Sequence, residues 1–109
     1  MLRLVLNTSG YVFEAAKSAE PKVDREHGGI QRLEKDTGRP LWIVQVIAKG
    51  PEGAEILNVT VAGDQPKLTA GSPVDLKGLE ALPWTGKDGK SRTAFRAASV
   101  TAVAAAKTA

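Results

Sequence analysis

Leu41-Trp42-Ile43-Val44-Gln45-Val46-Ile47-Ala48, followed after Lys49-Gly50-Pro51-Glu52-Gly53 by Glu55-Ile56-Leu57-Asn58-Val59-Thr60-Val61-Ala62, is the stretch that decides the fold. The first run is rich in β-branched and aromatic residues and apolar at both parities, as in a strand with both faces covered. The second alternates. Leu57, Val59 and Val61 share one face, and Ile56, Asn58 and Thr60 share the other, because successive side chains on a strand point to opposite sides. A short Gly/Pro turn between two such runs reads as a β-hairpin.

Further along, Pro73 to Leu82 is another strand, and its alternation changes phase. Val74 and Leu76 are in step, whereas Leu79 and Ala81 fall on the other parity, with Lys77-Gly78 at the slip. A β-bulge there accounts for the change, since one extra residue exchanges the faces and glycine tolerates the backbone required. Pro83 to Lys90 reads as a hairpin tip and Ser91 to Val100 as the last strand. Gly63-Asp64-Gln65-Pro66 opens a connection in which a short helical turn is expected over residues 66–70. On the N-terminal side, Leu2–Leu6 and Tyr11–Ala16 are β-type runs separated by turn formers, Asn7 through Gly10.

Residues 20–38 differ in character. Glu20-Pro21-Lys22-Val23-Asp24-Arg25-Glu26-His27-Gly28-Gly29, continuing through Arg32, Glu34, Lys35, Asp36 and Gly38, is charged and broken by Pro and Gly. It reads as a long mobile hairpin loop within one domain. Residues 101–109 form an Ala-rich tail expected to be flexible. The expectation is an all-β fold: a small five-stranded barrel of the oligonucleotide/oligosaccharide-binding (OB) type, spanning residues 1–100 as a single domain with long hairpin loops.

Composition narrows the function. The 109 residues suffice for one domain. Hydrophobic residues make up 42% and charged residues 25%, the balance of an ordinary globular chain. There is no cysteine and a single histidine, His27, in the charged loop. Disulfides, thiol nucleophiles and cysteine metal sites are therefore excluded, and a zinc site would need unusual ligands. No nucleophile, base and orienting group can be assembled. Gly28-Gly29 opens no phosphate-cradling helix. The composition predicts a binding protein without enzymatic activity, cofactor, metal or small-molecule substrate. The first apolar run is too short for a signal peptide and no segment is long enough to cross a bilayer, so a cytoplasmic protein without a membrane role is expected. The net charge of +3 and pI near 9.4 suit a polyanionic partner.

From Gly38 onward the sequence resembles the gene V-type, helix-destabilising single-stranded-DNA-binding proteins of filamentous phage. The matching stretches are Gly38-Arg39-Pro40, Ile56-Leu57-Asn58-Val59-Thr60-Val61, Asp64-Gln65-Pro66, Thr69-Ala70-Gly71 and Phe95-Arg96. The layout is also similar to small actinobacterial mobile-element proteins with a charged hairpin before a Gly-x-Pro-Leu-Trp strand. The resemblance implies a five-stranded OB barrel that dimerises and coats single strands during plasmid- or phage-type replication. It implies that Arg39 and Arg96 contact phosphates. Asn58 stands where the family has a lysine, and Leu41 where it has a stacking tyrosine; Trp42 is one place further, on the opposite face.

Single strands are bound by a positive groove that tracks phosphates and by aromatics on which bases stack. The candidate DNA-binding residues are Arg25, Arg32, Arg39, Trp42, Lys77, Trp84, Lys87, Lys90, Arg92 and Arg96. Arg92 and Arg96 share a parity and point the same way if no bulge intervenes. Trp84, close to Lys87, Lys90 and Arg92, either stacks on a base or closes the barrel end as a lid. Trp42 is either core or ligand-stacking. Phe13 and Phe95 are expected in the core. The competing reading is a protein-interaction or regulatory module of a mobile element, in which Trp84 is an interface anchor.

Overall fold

β6 (Leu41–Gly50) and β7 (Gly53–Ala62) form an antiparallel hairpin in unbroken register, from Leu41 opposite Ala62 to Gly50 opposite Gly53. Pro51 and Glu52 make the two-residue connection. The alternation sets the sides: Val44, Val46, Val59 and Val61 are buried together, whereas Ile56 is 63% exposed. The structure is a computed structural model and describes residues 2–24 and 28–103.

Further strands extend the hairpin in both directions. β2 (Val12–Ala15) lies antiparallel on β6, and β8 (Pro73–Lys77) lies antiparallel on β2. On the other flank, β10 (Ser91–Arg96) runs parallel to β7, and β9 (Glu80–Thr85) is antiparallel to β10. β1 (Leu4–Val5) borders β9, and β11 (Ser99–Ala102) borders β8. The sheet order is thus β1-β9-β10-β7-β6-β2-β8-β11, with β3 (Glu20–Pro21) also on β6. Consecutive strands β8 and β9 pair at opposite flanks of this sheet, so it must curl. The fold is all-β, a curled half-barrel, and no helix occurs among the described residues.

Two of the expected long strands are each interrupted. Pro73 to Leu82 divides into β8 and β9 at Gly78-Leu79, and Ser91 to Val100 divides into β10 and β11 at Ala97-Ala98. The phase slip read at Lys77-Gly78 is real, since Val74, Leu76, Leu79 and Ala81 are all buried. It arises from a break with Gly78 at φ +65°, a backbone that side-chain-bearing residues rarely adopt. The Ala98 amide donates to the Lys77 carbonyl at 2.8 Å, so both strands turn the corner together. The sheet consequently contains nine strand segments rather than five.

Two local expectations change. Residues 66–70 form no helical turn; Leu68 is buried there, and the Ser72 and Gly71 amides donate to the Thr69 and Ala15 carbonyls. The strand before the hairpin tip continues through Thr85, leaving the tip to residues 86–90. Pro83 is accommodated because β9 has only one neighbouring strand beyond Ala81. The charged segment is a paired structure where described: β4 (Val23–Asp24) and β5 (Ile30–Gln31) form a two-stranded hairpin, and Leu33 bridges to Pro40. β11 extends two residues into the Ala-rich tail; residues 104–109 lie outside the described residues.

Phe13, Trp42, Leu57 and Phe95 pack against the buried cluster. Burying a valine contributes roughly 1.5–3 kcal/mol. Val59→Ala should therefore destabilise the domain by roughly 2 kcal/mol in urea unfolding, whereas Ile56→Thr, on the exposed side, should change stability by less than about 0.5 kcal/mol.

Candidate nucleic-acid interface

The side of the β6–β7–β10–β9 sheet opposite the core carries two groups of cations. Cross-strand partners share a face, so the register places residues on it directly. Arg96 stands beside Thr60 of β7 and Glu80 of β9, and Arg92 stands beside Trp84 of β9. Thr60 is in turn opposite Ile43 of β6. Arg92 and Arg96, four residues apart, are about 13 Å apart along the strand.

The first group forms where the charged segment folds over the start of β6. Backbone bonds from Lys22 to Leu41 and from Leu41 to Arg32 tie the segment down. Glu34 and Arg39 face each other across a tight turn, closed by Glu34 N to Arg39 O at 2.8 Å and Gly38 N to Glu34 O at 2.8 Å. The Glu34 carboxylate, only 11% exposed, accepts from Arg39 Nη2 at 3.1 Å and from Thr37 Oγ1 at 2.5 Å, and pairs with Arg96 from β10. Arg39 Nε also donates to Thr37 Oγ1 at 3.2 Å. Two guanidinium groups from distant parts of the chain are thus held side by side. Lys22 reaches the same face and donates from Nζ to Thr60 Oγ1 at 3.1 Å. Burial, with Arg32 and Arg96 beside it, pulls the Lys22 pKa below the ordinary value. Arg39 and Arg96 line a cleft of about 330 Å³ whose other walls are the small residues Ala62, Gly78, Ala97 and Ala98, together with Glu80.

The second group lies at the β9–β10 hairpin. Arg92 donates to both Asp88 carboxylate oxygens, at 3.1 and 2.7 Å. Its guanidinium carbon lies 5.4 Å from the centroid of the Trp84 ring, a separation at which a cation and an indole attract. Trp84 is 45% exposed. The Arg92 hydrogen bonds and the Lys90 backbone amide hold the Asp88 carboxyl below the usual carboxylate range. The turn is closed by Gly86 N to Lys90 O at 2.9 Å. A Cβ on Gly86 would collide with Arg92 Nη1.

The structure brings Arg32, Arg39 and Arg96 together, and it groups Trp84 and Arg92 with the turn that carries Lys87 and Lys90. Trp42 does not join them. It lies opposite Val61 on the core side and donates from Nε1 to the Gly63 carbonyl at 2.8 Å. Lys77 projects outward from β8, opposite Ser99, two strands removed from β6. Arg25 lies outside the described residues. Lys22, Glu34 and Asp88 were not among the sequence candidates. Asp88 to Arg92 is a local spacing readable in hindsight, but the Lys22–Thr60 and Glu34–Arg96 contacts have no local signal.

The described residues contain no cluster of three or more side chains suited to hold a metal ion, and no helix long and apolar enough to cross a membrane. No known protein-family model matches the chain, and no curated protein matches it significantly.

Two outcomes follow from this geometry. A lysine whose folded pKa is depressed loses its proton first in the folded state. Between that pKa and the unfolded value of 10.5 the unfolded chain holds more protons, so stability should rise with pH through this window. Urea unfolding at stepped pH should show the rise in the parent chain and lose it in Lys22→Met. Gly86→Ala should displace the flexible Arg92 end from its seat. Tryptophan emission and near-ultraviolet circular dichroism should change while the unfolding free energy stays within about 0.5 kcal/mol of the parent.

Proposed function

We propose that this chain is a non-enzymatic protein that binds single-stranded DNA with little sequence preference on the side of the sheet opposite its core. The observation that carries the reading is the placement of Arg96, Lys22, Arg92 and Trp84 on one face, with Arg32 and Arg39 at its margin. Phosphates would be met by the guanidinium groups at both ends, and a base would stack on the exposed Trp84 ring. Arg92, held by Asp88, lies over that ring and would favour one orientation of it.

The reading includes an OB-type barrel. Support comes from joining the interrupted segments: β8 with β9 and β10 with β11 give, with β2, β6 and β7, five long strands. Their pairing includes the parallel β7–β10 contact and the return of β8 onto β2. OB folds bind ligands on the face of their second and third strands and with the loops after the first and fourth strands. By that count the charged segment is the first such loop and the Gly86–Lys90 turn is the second.

Fluorescence titration with oligo-dT tests the proposal. Binding should be readily measured at low salt and fall steeply as salt rises, through counterion release. Each phosphate contact removed, as in Arg39→Ala, should lower the slope of log affinity against log salt by about 0.7. Trp84→Ala should weaken binding by about 1–3 kcal/mol, the contribution of one stacked base. Absence of binding at low salt would overturn the reading. A second reading, a protein-docking module, is favoured by the apolar border at β1, where Leu2, Leu4 and Val5 are exposed; recovery of one stoichiometric protein partner with no retained DNA would support it instead.

A further inference from the structure

Arg96 and Glu80 are direct cross-strand partners on β10 and β9, yet they do not pair with each other. The Arg96 guanidinium is turned to Glu34. Glu80 is left with one long contact, 3.9 Å to the exposed end of Arg3, among the described residues. Its carboxylate, 23% exposed, instead lines the 330 Å³ cleft beside Arg39 and Arg96. No buried side-chain oxygen among the described residues lacks a partner, so the Glu80 carboxylate reaches solvent and its lone pairs are open to a donor on a ligand.

The cleft therefore presents opposite chemistries within one small volume. On one side, each guanidinium has five N–H donors, and Glu34 engages only part of them. Glu34 thus sets the position of both arginines and leaves donors for a further anion. On the other side, the Glu80 carboxylate can only accept. The walls between are side chains no larger than a methyl group, so a flat ring can approach the backbone. The volume is at the lower end of the range for small-ligand sites.

We propose that this cleft is a single-nucleotide subsite that prefers guanine, with Arg39 and Arg96 holding the phosphate and Glu80 accepting hydrogen bonds from the base. The proposal rests on the single-stranded-DNA reading and adds base discrimination at one position. Guanine offers two adjacent donors, N1–H and the N2 amino group, that match the two oxygens of a carboxylate. Thymine offers one N–H flanked by two carbonyl oxygens, which a carboxylate repels. The rest of the face stays indifferent to sequence, because stacking and phosphate contacts are common to all bases.

The test uses the full chain and three probes: a dT 12-mer, the same 12-mer with isolated guanines replacing some thymines, and the free mononucleotide dGMP. The guanine-bearing 12-mer should bind about tenfold more tightly than the dT 12-mer, the effect of one good bidentate contact. In Glu80→Gln, which presents a donor where guanine needs an acceptor, that ratio should fall to about one. Thermal melting confirms that this variant is folded. Equal binding of the two 12-mers by the parent chain overturns the guanine subsite and leaves the single-strand reading standing. A guanine preference that survives in folded Glu80→Gln overturns the assignment to Glu80. Binding of dGMP that depends on Glu80, with neither 12-mer bound, supports the subsite and overturns the single-strand reading. If no probe binds, both fall.

Discussion

The register of the β6–β7 ladder governs the side-chain placement of every strand joined to it. Ten consecutive residue pairs join the facing backbone groups of the two strands and lock their side-chain parity. A slip of one residue would turn Val44, Val46, Val59 and Val61 outward and bring Gln45, Asn58 and Thr60 into the core. Because β7 also receives β10 and β6 also receives β2, this register propagates through the sheet. It decides that Phe95 packs inward and that Arg96, the next residue, points away from the core.

The cationic side of the sheet depends on carboxylates as much as on cations. Lys22, Arg32, Arg39 and Arg96 repel one another, and bringing them together without an anion would be unfavourable. Glu34 provides the anion at the point of convergence, and its low exposure makes the attraction less screened than at an open surface. Asp88 does the same work for Arg92 at the other end, in an exposed and therefore weaker setting. Each carboxylate reduces the local positive charge yet fixes the geometry of the donors. In the proposed mode of binding, a phosphate would meet guanidinium groups already ordered, so less side-chain entropy would be lost.

Legibility varied with the range of the interaction involved. The central hairpin was readable because its first strand is a β-branched apolar run, its second alternates and its turn is local. The phase slip at Lys77-Gly78 was readable as a change of parity, but the accompanying break at Ala97-Ala98 was not, because Ala97 and Ala98 fit a continuing strand. Their interruption is imposed by the corner at Gly78 across the ladder. The indoles show the same contrast. Both lay beside plausible binding residues, and only the register separated Trp42, hydrogen-bonded to Gly63 on the core side, from Trp84 on the outer face.

Periodicity alone establishes the β character, the common face of Leu57, Val59 and Val61 and the parity shared by Arg92 and Arg96. These follow from periodicity and steric preference, which act over neighbouring residues. Which cations meet is settled by the folding of the whole sheet. Arg39 and Arg96 are brought to one carboxylate, and Lys22 to Thr60, by strand pairing and by the folding of the charged segment over the start of β6. Such contacts join residues up to sixty-two positions apart, from Glu34 to Arg96. No local rule specifies them, because chain closure over that distance is governed by the whole packed sheet.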